Sequence, residues 1–466
     1  MNQNEWMRAT AVGLPEDILR EKMAGNLENA VKLIDLRLAQ QNLPRALRYC
    51  LLAEREMILR LPQDFPYTKA QALEKIRQKV PDFSETEWQA MLAAGQIRWI
   101  YLNGEMRVFD RFFESMCKSM PEFAQRAALV LGGGESALRG TAGDARLNRT
   151  MQTIKEQGSL ACRIRIRASV RVKDEAFTQG MTVRVHLPIP AACAQQSEIK
   201  IESVWPQNAE IAPETAPQRT VFWQETMQEN HEFRVEYSYK STATWHDMAA
   251  EPVQKSAEPA PGPECCAELL PHIRFTPYLR ALAGELAEGA DSPLEKARRF
   301  YDFITLNCKY TYMPSYFSLE DIAENCARTF TGDCGVFTLL FITLCRCAGI
   351  PAQWQSGLVA EPDFIGGHDW ARFYAEPFGW LYADPSYGIG AVRAENEERR
   401  QFYFGNIDPY RMIANNAFEA AFTPAKTFWR TDPYDNQLGE VETDQRGMRY
   451  EEYTRSKEVL ECEEIV

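Results

Sequence analysis

Two periodicities divide the first half of the chain. From residue 14 to residue 61, apolar side chains recur every three or four positions, which is helical spacing, and Pro44 separates one helix from the next. From residue 159 to residue 250, apolar and polar side chains alternate, which is typical of strands with one buried face. The sequence therefore predicts a helical pair over residues 1–62 and an antiparallel, β-sandwich-like middle domain over residues 159–250.

A second small unit is predicted between these regions. A helix is expected over residues 70–80, and a capping box at residues 84–87 opens another. Residues 97–109 then alternate around Asn103-Gly104, a dipeptide preferred in tight hairpins. Helices followed by a hairpin suggest a winged-helix-like unit over residues 63–130. Its charges are mixed rather than basic, so a packing or substrate-capping role is favoured over DNA binding.

Two stretches interrupt these patterns and are predicted to be linkers. Residues 131–158 begin with consecutive glycines, and no Lys-Ser or Lys-Thr pair follows them as in a phosphate-binding loop. Residues 251–264 are rich in proline and mark the boundary before the last domain. That domain is predicted to extend over residues 265–466, with an edge strand near residues 446–462.

The last domain contains a cysteine, a histidine and an aspartate in settings that suit catalysis. Cys334 precedes an apolar run that is predicted to be a buried helix with the thiol in its first turn, where the helix dipole favours thiolate. His368 opens an alternating run, and Asp384 ends a second short strand after a turn. A hairpin of these strands could bring imidazole and carboxylate together, in a register that the sequence does not specify. A thiol nucleophile requires a base, and the base requires an acid that fixes its tautomer.

The motifs that carry these residues resemble the core signature of the transglutaminase-like superfamily, whose members are papain-fold Cys-His-Asp enzymes. In order along the chain they are GDC, H-x-W and GW-x-x-x-D-P, and the resemblance covers about residues 275–415. It implies that Cys334 is the nucleophile, His368 the general base and then acid, and Asp384 the orienting group. It also implies a papain-like fold for the last domain.

Related enzymes often use a polar or aromatic side chain ahead of the cysteine as an oxyanion donor. The resemblance thus makes Tyr310 and Tyr312 candidates for that role, beside the backbone N–H of Cys334. Trp370, two positions after His368, is a further candidate for the cleft wall.

Composition and charge narrow the range of partners. The 466 residues suggest about three domains, and 52 basic against 65 acidic side chains give a net charge of −13. An acidic chain of this kind is not expected to bind nucleic acid or an anionic membrane. No signal sequence and no apolar stretch of about 20 residues is visible. Twelve irregularly spaced cysteines without a C-x-x-C pair favour a reducing cytoplasm and argue against zinc; neither metal nor cofactor is predicted.

These observations predict an α+β multidomain protein that performs cysteine-dependent acyl transfer. Hydrolysis of a peptide or other amide through a Cys334 thioester is the first choice, since it requires only water as acceptor. Protein-glutamine amine cross-linking is the alternative within the enzyme class, although no calcium-ligand spacing supports it. A catalytically idle papain-fold binding module is the alternative outside it. The expected substrate is a peptide, a protein or a small amide; its identity and the oligomeric state are not set by the sequence.

Overall fold

A computed structural model describes residues 3–127, 140–249 and 258–465 and shows a mixture of helices and sheets. The helices are α1 (Gln3–Arg8), α2 (Glu16–Met23), α3 (Leu27–Leu38), α4 (Arg45–Asp64), α5 (Lys69–Arg77), α6 (Glu85–Ala93), α7 (Phe112–Ser119), α8 (Pro121–Arg126), α9 (Gly140–Gln157), α10 (Pro277–Ala287), α11 (Pro293–Asn307), α12 (Ile322–Thr329), α13 (Cys334–Cys347), α14 (Pro385–Arg393) and α15 (Glu397–Phe402).

The strands are β1 (Tyr67–Thr68), β2 (Trp99–Leu102), β3 (Glu105–Val108), β4 (Ser159–Val172), β5 (Thr182–Pro188), β6 (Gln196–Trp205), β7 (Glu210–Ile211), β8 (Thr220–Thr226), β9 (Glu232–Thr244), β10 (Lys309–Tyr310), β11 (Thr331–Gly332), β12 (Ala352–Glu361), β13 (Phe364–Ala375), β14 (Gly379–Ala383), β15 (Phe404–Gly405), β16 (Arg411–Asn415), β17 (Glu440–Thr443) and β18 (Tyr453–Ile465).

The helical pair and the winged-helix-like unit of the prediction share one apolar core. Leu27 of α3, Leu51 of α4, Trp88 of α6 and Phe112 of α7 belong to the same buried cluster. The predicted capping box at Ser84 and the β2–β3 hairpin are present, and the small sheet has the strand order β1-β3-β2. Helix α4 continues past the predicted boundary at residue 62, because its apolar side faces the core that both regions build.

The predicted linker at residues 131–158 is wrong over its described part, since residues 140–157 form helix α9. Leu147, Met151 and Ile154 recur at helical spacing on this helix, are buried, and pack in the core that includes β4. Residues 131–139 lie outside the described residues. So do residues 251–257 of the proline-rich linker, whose described remainder begins at Glu258.

The strands predicted over residues 159–250 are present and form two antiparallel sheets with residues from far along the chain. The strand orders are β18-β4-β9-β6 and β17-β5-β8-β7. Ile166, Val185, Trp223 and Val235 bring the buried faces of these sheets into one core. The predicted edge strand near residues 446–462 is β18, which lies at the edge of its sheet and pairs with β4 over most of its length. Assigning all of residues 265–466 to the catalytic domain is therefore wrong, because β17 and β18 are edge strands of the two sheets of the middle domain.

A third sheet, with the strand order β15-β14-β13-β12-β16, positions the candidate site. Helix α13 packs against β13, and the rings of Phe341 and Phe373 meet edge to face with centroids 5.6 Å apart. The predicted hairpin is present as β13 and β14, with Ala371 opposite Ala383. Within the described part of the chain, no helix combines the length and the apolar character needed to cross a lipid bilayer.

Candidate active site

Cys334 is the first residue of α13, as the sequence predicts, and its thiol points to a carboxyl group. The side chain of Asp333 caps the helix by accepting a hydrogen bond from the backbone N–H of Val336 at 3.3 Å. The thiol of Cys334 donates to Oδ2 of Asp369 at 3.2 Å. Asp369 directly follows His368 in β13, so the packing of α13 on this strand brings the helix N-terminus to the strand that carries the imidazole.

The electrostatics of Cys334 oppose the thiolate that the sequence predicts. Burial raises the pKa of Cys334 well above its ordinary value, and the carboxyl groups of Asp369 and Asp333 add to this effect. The carboxyl group of Asp333 is not freely solvated, because the hydroxyl of Tyr316 donates a hydrogen bond to it. Burial raises the pKa of Asp333 to about 6. The helix dipole alone therefore does not decide the protonation of this thiol.

His368 and Asp384 form a hydrogen-bonded pair at the hairpin of β13 and β14. Nε2 of His368 lies 2.8 Å from Oδ2 of Asp384, and both side chains are buried. Asp384 follows β14 and caps α14, accepting from the backbone N–H of Tyr387 at 2.9 Å with its other oxygen. The carboxylate is thus fixed by a helix N-terminus on one side and directed at the imidazole on the other.

Arg411, at the start of β16, is a site residue that the sequence reasoning missed. Its Nη1 donates to Oδ2 of Asp384 at 2.9 Å, and its Nη2 donates to Oδ2 of Asp408 at 2.6 Å. Burial acts to raise the pKa of Asp384, but His368 and Arg411 outweigh it, so that the pKa is lowered. Asp384 is therefore held ionised beside the imidazole. The available signal was an arginine that ends an aromatic-rich segment, residues 402–411, within the range that the resemblance covers.

Asp369 is held by residues from the long loop between β16 and β17. The side-chain amide of Gln437 donates to Oδ1 of Asp369, and also to the backbone oxygen of His368 at 3.2 Å. The carboxyl of Asp435 forms a further hydrogen bond with Asp369. Burial raises the pKa of Asp369 to about 8. At neutral pH this favours a proton shared among buried carboxyl groups beside the thiol.

The three candidate cleft residues lie in two different environments. Tyr310 and Tyr312 line a cleft of about 450 Å³ together with His368. The charges of Cys334 and Asp333 act on the Tyr310 hydroxyl, which keeps Tyr310 a candidate for oxyanion binding. Trp370 does not belong to the cleft, because it is fully buried and donates its indole N–H to Gln355 at 3.0 Å. Its large apolar ring fills the core on the side of β13 that faces Arg411 of β16.

The N-terminal unit, residues 3–127, reaches this region and packs against Tyr312. Ser115 of α7 accepts a hydrogen bond from the backbone N–H of Tyr312 at 3.1 Å, and Arg111 stacks on the Tyr312 ring. Lys118, also on α7, is among the residues that line the cleft. Arg98, next to β2, lies close enough to Asp333 for the two charges to interact. These contacts could not be read from sequence, because they join segments about 200 residues apart.

Across residues 3–127, 140–249 and 258–465, no group of three or more His, Cys, Asp or Glu side chains is arranged to hold a metal ion.

Comparison with known proteins identifies one segment of the chain. Residues 280–385, which include Cys334, His368 and Asp384, match the family model described as the transglutaminase-like superfamily. The uncharacterized protein YebA of Bacillus subtilis (strain 168) is 25% identical over 130 residues, which make up 24% of this chain and 18% of YebA. The chain therefore spans less than a fifth of the length of this curated relative.

Two solved structures show weaker likeness. One is described as that of a candidate cysteine protease from Cytophaga hutchinsonii, with 14% identity and a TM-score of 0.40, covering 65% of this chain and 91% of that one. The other is the periplasmic domain of TgpA from Pseudomonas aeruginosa, with 15% identity and a TM-score of 0.29, covering 54% of this chain and 95% of that one.

Proposed function

We propose that this chain, whose residues 280–385 belong to the transglutaminase-like superfamily, hydrolyses a peptide or other amide bond through a thioester on Cys334. The match supports a cysteine-dependent activity in general. One observation supports the more specific proposal of a thioester on Cys334. The buried pair of His368 and Asp384, 2.8 Å apart, lies on the hairpin that packs against the helix opened by Cys334. Because the carboxylate faces Nε2, it fixes the tautomer in which Nδ1 carries the lone pair and acts as the base.

The proposed reaction proceeds in two acyl-transfer steps. The Cys334 sulfur attacks the carbonyl carbon while Nδ1 of His368 takes the thiol proton, and the tetrahedral oxyanion accepts a hydrogen bond from the backbone N–H of Cys334. His368 then protonates the leaving amine as the carbon–nitrogen bond breaks and the thioester forms. Water attacks the thioester with His368 as base, the acid is released, and the sulfur regains its proton.

The environment of Cys334 determines when the proton moves. Burial and the neighbouring carboxyl groups raise the pKa of the thiol, so the resting nucleophile is neutral. Proton transfer to His368 therefore accompanies attack on the substrate instead of preceding it. A substrate that displaces the Asp369 hydrogen bond would release the thiol toward the imidazole.

The decisive experiment separates hydrolysis from amine transfer and from mere binding. A proteome-derived peptide library is incubated in water enriched in the heavy oxygen isotope, with dansylcadaverine present, and the products are analysed by mass spectrometry. We expect heavy oxygen in new carboxyl groups and little dansyl incorporation. Cys334→Ala should abolish this, and Asp384→Asn should slow it at least about a hundredfold, since it removes the charge that orients the base.

Cys347→Ala is the matched control, because this thiol ends the same helix and should leave the rate unchanged. Dansyl incorporation in place of heavy oxygen would establish the cross-linking alternative. If no product depends on Cys334, the chain is a binding module and the proposed hydrolysis is refuted.

A further inference from the structure

Two cysteines outside the candidate active site form a thiol pair in the sheet with the strand order β18-β4-β9-β6. Cys162 lies in β4 and Cys462 lies in its neighbour β18. Cys462 is opposite Ile164, which places it diagonally beside Cys162 on the same face of the sheet. The Cys162 thiol donates a hydrogen bond to the Cys462 sulfur. Both thiols are free and in contact, and neither has a part in the proposed hydrolysis.

The two thiols differ in accessibility and in charge. Cys162 is fully buried, whereas Cys462 is half-buried on an edge strand. The hydrogen bond from Cys162 and the nearby guanidinium of Arg146 lower the pKa of Cys462, in spite of burial and of neighbouring carboxylates. The same hydrogen bond, together with burial, raises the pKa of Cys162. Thiolate character is therefore concentrated on the sulfur that a reagent can reach.

A second thiol pair provides a contrast within the same chain. Cys308 follows α11, Cys326 lies in α12, and their side chains also share a hydrogen bond. Both residues are buried in the apolar core. The hydrogen bond and burial raise the pKa of Cys326 well above its ordinary value, so this thiol stays protonated at neutral pH. Contact between thiols thus does not by itself give a reactive pair, and the setting of Cys462 does.

The pair of Cys162 and Cys462 lies where the middle domain meets the sheet of the candidate active site. The Cys462 sulfur is 3.9 Å from the backbone oxygen of Ala360 in β12, the strand that pairs with β13. Arg146 of α9 forms an ion pair with Glu361 of β12 at 3.0 Å. A bond between the two sulfurs would tie the C-terminal strand to β4 and close a loop that contains the whole transglutaminase-like segment.

The strand that carries Cys462 can adjust to the geometry of such a bond. Among the described strands only β4 pairs with β18, so one side of β18 is not held in a ladder. The register of β18 also shifts between Val459 and Glu461, close to the cysteine. A small movement of this edge strand can therefore bring the two sulfurs from hydrogen-bond contact to bonding distance.

We propose that Cys162 and Cys462 are a redox-active dithiol that forms a disulfide when the protein meets a small-molecule disulfide. The Cys462 thiolate attacks one sulfur of this oxidant, whose S–S bond breaks, and one small thiolate leaves. Cys162 then attacks the Cys462 sulfur of the mixed disulfide and the second small thiolate leaves. The leaving thiolates take up the two protons that the protein thiols lose. The protein is oxidised by two electrons, and the oxidant is reduced to two thiols.

The experiment oxidises the folded wild-type protein with oxidised glutathione near pH 7.5. Samples are quenched with N-ethylmaleimide, and peptide mapping by mass spectrometry follows the twelve cysteines. We expect the bond between Cys162 and Cys462 to form at least about tenfold faster than one between Cys308 and Cys326, and dithiothreitol to reverse it. The melting temperature should rise by at least about 4 °C, because the bond restricts the unfolded chain.

Single substitutions test the two roles. Cys162→Ser should leave a stable mixed disulfide with glutathione on Cys462, whereas Cys462→Ser should leave the buried Cys162 unmodified. Cys117→Ser is the matched control, because this half-buried thiol of α7 packs in a different apolar core. In that variant the bond should form at the wild-type rate. Circular dichroism confirms that the compared variants are folded.

The wild-type measurement alone can overturn the inference. Glutathione on other cysteines without a bond between Cys162 and Cys462 would do so, and so would a bond that forms no faster than the one between Cys308 and Cys326. A mixed disulfide on Cys162 in the Cys462→Ser variant would overturn the proposed order of attack. None of these results depends on whether Cys334 hydrolyses an amide.

Discussion

Asp369 is the residue that sets the resting state of the candidate nucleophile. Its Oδ2 accepts the hydrogen bond of the Cys334 thiol at 3.2 Å, and Gln437 holds its other oxygen. Burial raises the pKa of Asp369 to about 8, and its carboxyl group in turn helps to raise the pKa of Cys334. The side chain next to His368 therefore opposes formation of the thiolate that a cysteine enzyme finally needs.

We expect Asp369→Asn to make Cys334 more reactive toward iodoacetamide. The amide removes the negative charge that Asp369 carries above its pKa of about 8 and can donate a hydrogen bond to thiolate, so the apparent pKa of Cys334 should fall, and alkylation near pH 9 should accelerate about tenfold. Alkylation is followed between pH 6 and 9 by peptide mapping. The half-buried Cys117 should react equally in both proteins. An unchanged or slower rate at Cys334 would show that Asp369 does not restrain the thiol.

At the residue scale, the sequence predicted those parts of the candidate site that depend on elements adjacent in the chain. A hairpin that could bring His368 and Asp384 together was predictable, because a short turn joins the two strands, but the register that pairs them was not. Arg411 was not, because it reaches Asp384 from another strand. The contact of Cys334 with Asp369 depends on how a helix packs on a sheet, which no local pattern specifies.

At the scale of elements, the N-terminal turn of α13 fits tightly against its surroundings. A Cβ atom at Gly335 would lie 2.3 Å from the Tyr316 hydroxyl oxygen and 2.8 Å from Oδ2 of Asp369. Both atoms form hydrogen bonds with residues at the start of α13. The Tyr316 hydroxyl donates to Asp333, and Oδ2 of Asp369 accepts from the Cys334 thiol. The glycine thus permits a hydroxyl and a carboxyl group to approach the helix N-terminus closely.

Gly335→Ala should therefore impair catalysis although alanine favours helix. The new methyl group must displace Tyr316 or Asp369, and displacement of groups around a nucleophile by about 1 Å can lower kcat/KM by up to about a hundredfold. Gly284→Ala in α10 is the matched control, because nothing lies within 4 Å of its added Cβ. That variant should keep its activity and gain about 0.5–1 kcal/mol of stability. Equal kcat/KM for the two variants would contradict the tight fit at Gly335.

At the scale of the whole molecule, buried carboxyl groups make stability depend on pH. Burial raises the pKa of Asp369 and of Glu419 to about 8, and the pKa values of Asp432 and Asp435 are raised as well, by burial first and by neighbouring acids second. These four carboxyl groups therefore bind more protons in the folded chain than in the unfolded chain between about pH 4 and pH 8. His186, His246 and His272, whose pKa values burial lowers, oppose this effect below about pH 6.5 but are fewer than the acids. Unfolding releases these protons, so the free energy of unfolding falls as pH rises through that window.

We expect the melting temperature to decrease steadily from pH 5 to pH 8. Each carboxyl that stays protonated only in the folded state contributes a slope of up to about 1.4 kcal/mol per pH unit. Asp435→Asn should flatten the decrease, because it removes one proton from the difference. The exposed Asp247→Asn should leave it unchanged. A melting temperature that rises over this range, or an equal slope in Asp435→Asn, would contradict the role of the buried acids.

The fold of the whole chain was predictable wherever one periodicity persists over several turns or strands. The buried helix α13 and the strands of the middle domain follow from their own side chains. Helix α9 was missed because the glycines before it dominate the local composition. The pairing of β18 with β4 was missed because alternation specifies that a strand has a buried face and not which strand lies beside it.

This pairing also determines the order in which the molecule can be completed during synthesis. Arg165 of β4 and Glu461 of β18 are 296 positions apart yet form an ion pair on neighbouring strands. A ribosome releases β4 and β9 long before β18, so the nascent protein carries an unpaired strand edge while the entire transglutaminase-like core is being made. The core lies between β9 and β18 in sequence, so it is synthesised before the sheet that contains β4 and β9 is complete. Until residues 453–465 have been synthesised, the edge of β4 that β18 occupies in the folded protein is open to pairing with another extended chain.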